Sequence, residues 1–402
     1  MASLFHYALV VNIKRARLGV FGYFFLLGLM VGFWAAGLPS LNQRLQLGEG
    51  RLGVVLLLVS FGALGSMLIA GQLVDRLSSR RMSQVAAPLC ALALLGPALA
   101  PDYVTLMVSA VVLGLGIGVV EVAINTHSVE VEHQYGRPII SAFHGTWSLG
   151  GAVGGAITSI ALGLGADPQT LLVSAALVIP LLFLTLVGTL LPPPEPAAEQ
   201  EGEGNGRRIP WGLVLILGVA AFAAHLSEGA AMDWTGLHSS NILGVDPAIA
   251  PIAFTIFSTA MTVVRFVGDP VRARLGNVTT VGLAGAIATG GYVLVLLSPV
   301  FGGVALAWIG WGLTGVGLAT VIPVLFSAVG ASGGSVGKAL ALLTAFGYTG
   351  LLMGPAVLGF VAEATSLRIS LIIPAVFAAI IALAGVPALR RLPSATKVPA
   401  KV

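Results

Sequence analysis

The sequence predicts an all-α membrane protein with twelve transmembrane helices arranged as two pseudo-symmetric six-helix halves. This prediction depends on the composition, on apolar stretches that recur along the chain, and on where the basic residues lie. Of the 402 residues, 57% are hydrophobic and only 9% are charged, whereas soluble proteins have about 25% charged residues. A chain of this composition is typical of an integral, multi-pass membrane protein.

Apolar stretches of about 20 residues, the length that a transmembrane helix needs, recur along the whole chain. They cover residues 18–39, 52–74, 82–100, 103–127, 139–163, 169–191, 210–236, 248–268, 278–298, 301–326, 336–362 and 368–389. The first stretch is too long for a signal-peptide core and further spans follow it, so we expect it to be retained.

The basic residues test this helix count independently, because loops rich in Lys and Arg stay in the cytoplasm. With the N-terminus inside, every Lys and Arg except Arg44, Arg51, Arg265 and Arg368 falls in a cytoplasmic segment. A miscount of one helix would remove this asymmetry. We therefore predict a protein of the bacterial cytoplasmic membrane with both termini in the cytoplasm.

A polar segment separates the two halves. Residues 192–209 begin with three prolines and continue with Glu, Gly and Ala, a composition with too little apolar surface to fold. We expect a flexible cytoplasmic linker between an amino-terminal half, 1–191, and a carboxy-terminal half, 210–402. Two parallel six-helix repeats place a solute site at the midplane between them, and each half rocks about that site.

The loop after the second span, residues 71–81, reads GQLVDRLSSRR. It resembles the cytoplasmic loop signature of the major facilitator superfamily, GxxxDRxGRR, with Ser78 in place of the second glycine. An ordinary basic loop is the alternative. In this interpretation glycine permits a close helix approach, and the aspartate lies at a helix N-terminus or pairs with an arginine. The residues assigned to gating in this loop are Gly71, Asp75, Arg76, Arg80 and Arg81.

The corresponding loop of the second half, residues 268–276, is a degenerate echo of the first. It includes Asp269, a further gating candidate, and places Arg272 at the aspartate position. Two related loops at corresponding places support an internal repeat.

Ionisable side chains within membrane spans are costly and indicate function by default. In the fourth span Glu121 and Asn125 are four residues apart and share a helix face, so a carboxyl lies beside an amide that can hold a polar ligand. Residues 116–125, GIGVVEVAIN, resemble the fourth helix of fucose:proton symporters, which implies that Glu121 belongs to a proton and sugar pathway. Those symporters also carry an acid in the first helix, which residues 28–39 lack. A purely structural pairing of Glu121 with Arg265 is the alternative.

The seventh span supplies the other titratable groups. His225 and Glu228 are three residues apart on one face, whereas Asp233 lies about 140° away and nearer the outer surface. We therefore assign His225 and Glu228 to proton coupling in the cavity and Asp233 to a gate. With residues 143–151, FHGTWSLGG, this stretch resembles a bacterial branch of the superfamily that includes permeases of rhizopine gene clusters. His144 is either a cavity residue or a packed helix cap.

Sugars are held by hydrogen bonds to their hydroxyls and by aromatic rings under their C–H faces. Packing is the alternative for each aromatic residue taken alone. The predicted solute contacts are Trp34, Asn125, His144, Trp147, Ser148, Trp311 and Tyr348.

The eleventh span contains Gly354 and Pro355, which predict close packing and a kink that a rocking helix can use. Arg265 in the eighth span is also assigned to conformational change. The fifth span has glycines without a proline, so it lacks the GP-type motif typical of drug:proton antiporters.

Enzyme motifs are absent from the sequence. Around Lys338, Ser332 and Ala339 occupy positions that a P-loop requires to be Gly and Ser or Thr, so no ATP site drives transport. There is no metal-binding Cys/His spacing, Cys90 has no partner for a disulfide, and we expect neither a metal nor a cofactor.

The predicted function is therefore proton-coupled uptake of a small polar solute, of sugar or cyclitol type, by alternating access. The expected partners are that solute, protons and the bilayer, with the protein acting as a monomer. Nucleic acid is excluded because the net charge of +4 is spread along the chain. Proton-driven efflux of amphiphilic compounds is the first alternative, and a non-transporting membrane receptor is an alternative of another class. The solute, the direction of transport and the coupling ion stay open.

Overall fold

The computed structural model describes residues 2–136, 139–192, 210–330 and 336–392. Within these ranges, the side chains of residues 2–12, 269, 330, 336–338 and 340–341 are not described. The predicted linker after Pro192, the side chain of Asp269 and the C-terminal tail therefore lie outside the described residues.

The described residues form twelve helices that run back and forth along one bundle. Ile252–Leu297 contains two of them, separated by the non-helical backbone of Gly276; the part before Gly276 is α8 and the part after it is α9. The other helices are α1 Ala2–Leu45, α2 Gly48–Leu77, α3 Ser79–Leu99, α4 Tyr103–Tyr135, α5 Ile140–Gly163, α6 Pro168–Thr189, α7 Trp211–Ile242, α10 Gly303–Val329, α11 Val336–Ala364 and α12 Leu367–Arg391.

Each predicted span corresponds to one of these helices. Ten helical segments are long and apolar enough to cross a membrane, and Ile252–Gly268 in α8 is a shorter apolar helix. The remaining helix, α5, has 24 residues, and its many glycines lower its hydropathy. Several helices extend beyond the apolar stretch: α4 continues to Tyr135, where Glu132 accepts hydrogen bonds from the backbone N–H groups of Ile139 and Ile140 at 2.7 and 2.9 Å.

Aspartate side chains cap the N-termini of two helices at the same end of the bundle. Asp102 accepts a hydrogen bond from the backbone N–H of Thr105 at 2.8 Å before α4, and Asp167 accepts one from Thr170 at 2.7 Å before α6. These backbone hydrogen bonds lower the pKa of both carboxyls. Each aspartate therefore satisfies a free backbone N–H group in the first turn of its helix and fixes where α4 and α6 begin.

The internal repeat is visible in how glycines pack. A Cβ added to Gly150 of α5 would lie 2.1 Å from the carbonyl oxygen of Phe25 in α1, and one added to Gly350 of α11 would lie 2.3 Å from that of Phe222 in α7. The α1–α5 pair and the α7–α11 pair therefore make the same contact, as two six-helix repeats predict.

Counting along the helices from these contacts pairs Gly28 with His225 and Trp147 with Gly347. In the first half, glycine faces the large residue: a Cβ on Gly28 would lie 1.9 Å from the Trp147 carbonyl oxygen. In the second half, a Cβ on Gly347 would lie 2.6 Å from His225 Nδ1. The large residue is therefore on α5 in the first half, as Trp147, and on α7 in the second half, as His225. The two halves thus carry different side chains at pseudo-equivalent positions.

The two corresponding loops share one unusual backbone conformation. Ser78 has φ 76° and ψ 148°, and Gly276 has φ 77° and ψ 161°, a region that is nearly restricted to glycine. Counting back from this pair aligns Asp75 with Ala273. The sequence alignment that placed Arg272 at the aspartate position is therefore wrong, because the second loop is one residue longer.

The two halves are in contact at the end of the bundle that carries Gly50, here called the Gly50 end. A Cβ on Gly53 of α2 would lie 2.8 Å from the Cα of Gly359 in α11. Nearby, the backbone N–H of Gly50 donates to Glu363 at 3.1 Å. Deeper in the bundle, Ser60 donates a hydrogen bond to the carbonyl oxygen of Leu352. Glycine thus allows α2 and α11 to touch along this end.

The opposite end of the bundle, where α2 ends and α3 begins, is here called the Ser78 end. Gly71 lies eighteen residues after Gly53, so the two glycines share one face of α2 about 27 Å apart. Among the described residues, no atom of a neighbouring helix lies within 4 Å of a Cβ at Gly71. The close helix approach expected at Gly71 is therefore not made with the described part of the chain.

Candidate functional site

Glu121 lies in α4, deep in the bundle, among neutral hydrogen-bond donors. Asn125, one turn later on the same helix, donates to Glu121 Oε2 at 2.8 Å. Tyr348 of α11, in the other half, donates its hydroxyl to the same oxygen at 3.3 Å. The carboxyl therefore has polar partners from both halves and, among the described residues, no cation.

Glu228 lies in α7 and has a different environment. Its side chain is 7% exposed, and its Oε1 is 3.0 Å from Nη2 of Arg265 in α8. Nη1 of Arg265 crosses to α5, where it donates to Ser148 Oγ and, at 3.4 Å, to the His144 carbonyl oxygen. Arg265 thus joins the two halves and pairs with Glu228 rather than with Glu121.

His225 lies between these two groups. Its ring stacks on Tyr348 with centroids 6.2 Å apart and an angle of 17°, and it is one turn before Glu228 on α7. Its buried Nδ1 has no hydrogen-bond partner among the described residues. The side chains of Glu121, Tyr348, His225, Glu228 and Arg265 consequently form a continuous polar chain across the interface between the halves.

A small cavity of about 10 Å³ adjoins this chain on the side of the Gly50 end. Trp147 and Ser148 of α5 line it together with Glu228, and Val31, the pseudo-equivalent of Glu228 in α1, faces it as well. Small-molecule sites occupy about 300 to 1,000 Å³, whereas a space of about 10 Å³ holds a single water molecule. The central cavity is therefore closed to a solute in this conformation.

Of the predicted solute contacts, Trp147 and Ser148 line this cavity, whereas Trp34, Asn125, His144, Trp311 and Tyr348 do not. Trp34 is buried in the core of the first half. Trp311 is fully buried and packs edge-on against His238 at 5.7 Å and Tyr292 at 5.6 Å. In this conformation the Trp311 indole fills space within the second half and does not contact a solute. The assignment of Trp34 stays a prediction.

Asp233 is also separate from the polar chain. It lies five residues after Glu228 on α7, and its carboxyl has no hydrogen-bond or ion-pair partner in the ranges that the structure describes. Its assignment to proton coupling or to a gate stays a prediction. His144 packs its ring against Phe24 at 5.1 Å, so its side chain is packed while its carbonyl oxygen serves Arg265.

The gating candidates of the first loop lie at the Ser78 end. Asp75, Arg76 and Arg81 are exposed and Arg80 is half-buried. The expected pairing of Asp75 with an arginine is absent among the described residues.

In α11, Gly354 and Pro355 both pack against α7. A Cβ on Gly354 would lie 2.8 Å from the Leu226 carbonyl oxygen. Trp234 donates its indole N–H to the Pro355 carbonyl oxygen at 3.1 Å. Both positions join α7 to α11 within the second half.

A buried network at the Ser78 end was not foreseen. Ser79 Oγ is 2.9 Å from His127 Nδ1 and donates to Glu130 at 2.7 Å, while the backbone N–H of Leu191 donates to His127 Nε2 at 3.2 Å. The spacing of His127 and Glu130 on one face of the fourth helix was the available signal. The network joins α3 and α4 to the segment that precedes the linker.

Comparison with known proteins gives a consistent result. The family model described as Major Facilitator Superfamily matches residues 19–333. The uncharacterized transporter y4wD of Sinorhizobium fredii is 32% identical over 373 residues, 90% of this chain and 96% of that protein. The membrane protein MosC of Rhizobium meliloti is 30% identical over 368 residues, 90% of this chain and 88% of that protein.

Solved structures share the fold at low sequence identity. A point mutant of the nucleoside transporter NupG has a TM-score of 0.73 at 15% identity, covering 93% of this chain and 99% of that one. A D-xylose-proton symporter has 0.72 at 15% identity, with 95% and 99% coverage. A point mutant of the fucose:proton symporter of E. coli has 0.60 at 18% identity, with 96% and 100% coverage. The predicted twelve-helix fold is confirmed.

Proposed function

The chain belongs to the Major Facilitator Superfamily, and from this membership we propose that it is a proton-coupled symporter for a small polar solute of sugar or cyclitol type. The observation that supports coupling most directly is Glu121, a deep carboxyl whose described partners are neutral donors from both halves. Members of this family are transporters, and the proposal adds the coupling ion, the direction and the class of solute.

Coupling follows from the cost of an unpaired charge. An ionised carboxylate at the centre of a bilayer costs about 2.5 to 3.5 kcal/mol on insertion scales, and neither Asn125 nor Tyr348 supplies a compensating charge. Glu121 is therefore expected to bind a proton before the halves close around it and to release the proton when water reaches it. Tyr348 belongs to the other half, so its hydrogen bond to Glu121 depends on the conformation of the transporter.

The cavity supports a small polar solute. Trp147 offers an aromatic face, and Ser148 and Ser258 offer hydroxyl groups in its wall. This combination matches the apolar faces and hydroxyls of a sugar. A D-xylose transporter of Levilactobacillus brevis is 26% identical over 177 residues, 40% of this chain and 39% of that protein, and the similar structures are of transporters for nucleosides, fucose and xylose.

The basic residues supply the orientation that the proposal needs. They favour an orientation with the Ser78 end and both termini in the cytoplasm of a bacterial cell, with residues 192–209 linking the two halves. In this orientation the contact between α2 and α11 closes the side that faces the outside. In the proposed cycle a monomer takes up solute and proton at the Gly50 end and releases both at the Ser78 end.

A thermal-shift screen on detergent-purified protein identifies the class of solute. The panel contains L-fucose, D-xylose, myo-inositol, uridine and the hydrophobic cation tetraphenylphosphonium, because a ligand that binds the folded state raises its stability by mass action. We expect a polyol to stabilise the protein. Stabilisation by the cation alone would support export of amphiphilic compounds, and binding without flux in proteoliposomes would support a receptor.

Substitution of Glu121 tests the coupling. In proteoliposomes containing Glu121→Gln, we expect exchange of the stabilising polyol across the membrane to persist while accumulation driven by a pH gradient is lost. Asp102→Asn is the matched control, since it also replaces a carboxyl by an amide, at a helix cap where Asn and Asp serve equally well. Unchanged accumulation in Glu121→Gln would show that the coupling assignment is wrong.

A further inference from the structure

We propose that the two buried carboxyls have different roles: Glu121 alone carries the transported proton, whereas Glu228 stays ionised as the counter-ion of Arg265. Arg265 in turn forms the cytoplasmic floor of the solute cavity. This inference rests on the proposed symport and assigns the coupling to one of the candidate carboxyls of the polar chain.

The partners of the two carboxyls differ in charge. Glu121 accepts hydrogen bonds from the Asn125 amide at 2.8 Å and the Tyr348 hydroxyl at 3.3 Å. Glu228 is 3.0 Å from the Arg265 guanidinium. A guanidinium and a carboxylate in contact neutralise each other and form a charge-assisted hydrogen bond, so Glu228 remains ionised inside the bundle. Glu121 has no such partner among the described residues and is neutral only when protonated.

The groups that surround each carboxyl support this division. Besides its hydrogen-bond partners, Glu121 interacts electrostatically with Cys90 of α3, a thiol that supplies no positive charge. Around the ion pair, His225 on α7 and Tyr292 on α9 interact electrostatically with Glu228. His144 on α5 interacts in the same way with Arg265. Arg265 is the permanent cation of this cluster.

The position of Arg265 makes it a floor of the cavity. The α8 residues that line the cavity are Phe254, Phe257, Ser258 and Met261. All of them precede Arg265, toward the Gly50 end. Just beyond Arg265, Phe266 also contacts α5, because a Cβ on Gly145 would lie 3.3 Å from its ring. The bridge from Arg265 to Ser148 of α5 therefore lies between the cavity and the Ser78 end of the transporter.

The bonds of Arg265 differ in strength in a way that suits a gate. Within the second half it makes a charge-assisted bond to Glu228, and across the interface it makes bonds to the neutral Ser148 hydroxyl and His144 carbonyl. A bond between two ionised groups is stronger than one in which only the donor is charged. When the halves move apart, Arg265 is expected to stay with Glu228 and to leave α5, which opens the floor.

A charge-neutralisation series tests the division of roles in proteoliposomes, with L-fucose, D-xylose and myo-inositol as probes. Glu228→Gln leaves Arg265 as an unpaired buried charge, so we expect polyol exchange to fall about tenfold or more. Glu228→Gln combined with Arg265→Gln removes both charges. We expect this double variant to recover exchange and, because Glu121 is intact, to accumulate polyol under a pH gradient.

The outcomes separate the possibilities. Exchange without pH-driven accumulation in the double variant would identify Glu228 as a proton carrier and overturn the proposal. A double variant that folds, as judged by gel filtration and thermal unfolding, but does not exchange would show that Glu228 does more than balance Arg265, which also overturns it. If the wild-type protein accumulates no polyol under a pH gradient, the symport proposal itself fails, before any variant is compared.

Thiol accessibility tests the floor separately from transport. In a Cys90→Ala background, Ser258→Cys places one thiol in the cavity wall. We expect a membrane-permeable maleimide to label it faster when Arg265→Gln and Glu228→Gln are added, because the bridge to Ser148 is lost. Tyr348→Phe, which leaves the bridge intact, is the matched control. Equal labelling rates with and without Arg265 would show that it is not a floor.

Discussion

Ser78 is a non-glycine residue at a position whose backbone conformation favours glycine. Its backbone has φ 76° and ψ 148°, values that cost a non-glycine residue about 1 to 3 kcal/mol, whereas Gly276 adopts them at the pseudo-equivalent place without strain. The serine hydroxyl offsets little of this strain, because the hydrogen bond that it accepts from the Arg81 backbone N–H is long, at 3.4 Å. The superfamily signature has glycine where Ser78 stands, and the structure supplies the physical reason.

Replacement of this serine is therefore expected to stabilise the protein. Ser78→Gly relieves the strained backbone, and the lost cap costs only a few tenths of a kcal/mol, so we expect a net gain of about 1 kcal/mol in the free energy of unfolding. Thermal unfolding in detergent measures the change. The reciprocal control, Gly276→Ser, introduces the strain and is expected to destabilise; a lower midpoint for Ser78→Gly would contradict this account.

The candidate site was predictable from sequence where its contacts are local. Glu121 and Asn125 are four residues apart on one helix, and the hydrogen bond between their side chains follows from helical spacing. The contacts of Arg265 do not follow, because they join three helices whose rotation about their axes is set by packing. The misplacement of Trp311 has the same origin: its depth is evident from sequence, but the direction in which its indole points is not.

The glycine contact between α2 and α11 is the feature that lets two helices close the Gly50 end. Gly53 and Gly359 leave no space for a side chain, and inserting one into packed structure costs about 1 to 3 kcal/mol. On the same face of α2, a Cβ at Gly71 meets no atom of the described neighbouring residues within 4 Å, so the tight contact is local to the Gly50 end.

A larger residue at this contact is expected to favour the outward-open conformation. We expect Gly53→Leu to fold but to lower the population of the closed Gly50 end roughly tenfold, with a corresponding loss of polyol uptake. Gly65→Leu is the matched control on α2, because a Cβ there meets no atom within 4 Å. Uptake is measured in proteoliposomes, and equal uptake by the two variants would show that the contact does not control closure.

Helix positions were predictable from hydropathy, and helix ends were not. Hydropathy reports which residues face lipid, whereas a helix continues as long as its backbone groups are satisfied. α4 extends past residue 127 because Glu132 and the left-handed Gly136 end it at Tyr135. In α5, glycines reduce the apolar signal even though the helix is a central part of the interface between the halves.

The proposed symport implies a net charge for each transport cycle of the whole molecule. With Glu121 protonated and Glu228 paired with Arg265, the central site is neutral, so under this proposal a neutral solute is expected to cross with one proton and one net positive charge. A membrane potential of 100 mV then contributes about 2.3 kcal/mol to uptake, equivalent to roughly a fiftyfold solute gradient.

An imposed potential tests this balance. In proteoliposomes with a potassium diffusion potential set by valinomycin, negative inside, we expect accumulation of the stabilising polyol without a pH gradient. Proteoliposomes with equal potassium on both sides serve as the control. Accumulation that responds to a pH gradient but not to the potential would show that a second charge compensates the proton.

For the whole molecule, the organisation into two halves could be predicted from the related loops and the basic residues. Which end of the bundle is closed could not be predicted. The sequence pattern is the same whichever end is closed. The closed end is decided by small energy differences between contacts such as Gly53 with Gly359 and Arg265 with Ser148. These contacts join residues far apart in the chain, and their balance has no local signature.

The contacts that close the Gly50 end determine how strongly this closure depends on the salt concentration outside the cell. Glu49 accepts a hydrogen bond from the Asn241 amide at 3.0 Å, and Glu363 accepts one from the backbone of Gly50. In the described part of the chain, ion pairs lie elsewhere, at His127 and at Arg265. Dissolved salt screens exposed pairs of charges over about 8 Å at physiological ionic strength, but it leaves glycine packing and hydrogen bonds to neutral donors largely intact. The outer closure is therefore expected to hold equally well in fresh and in saline surroundings.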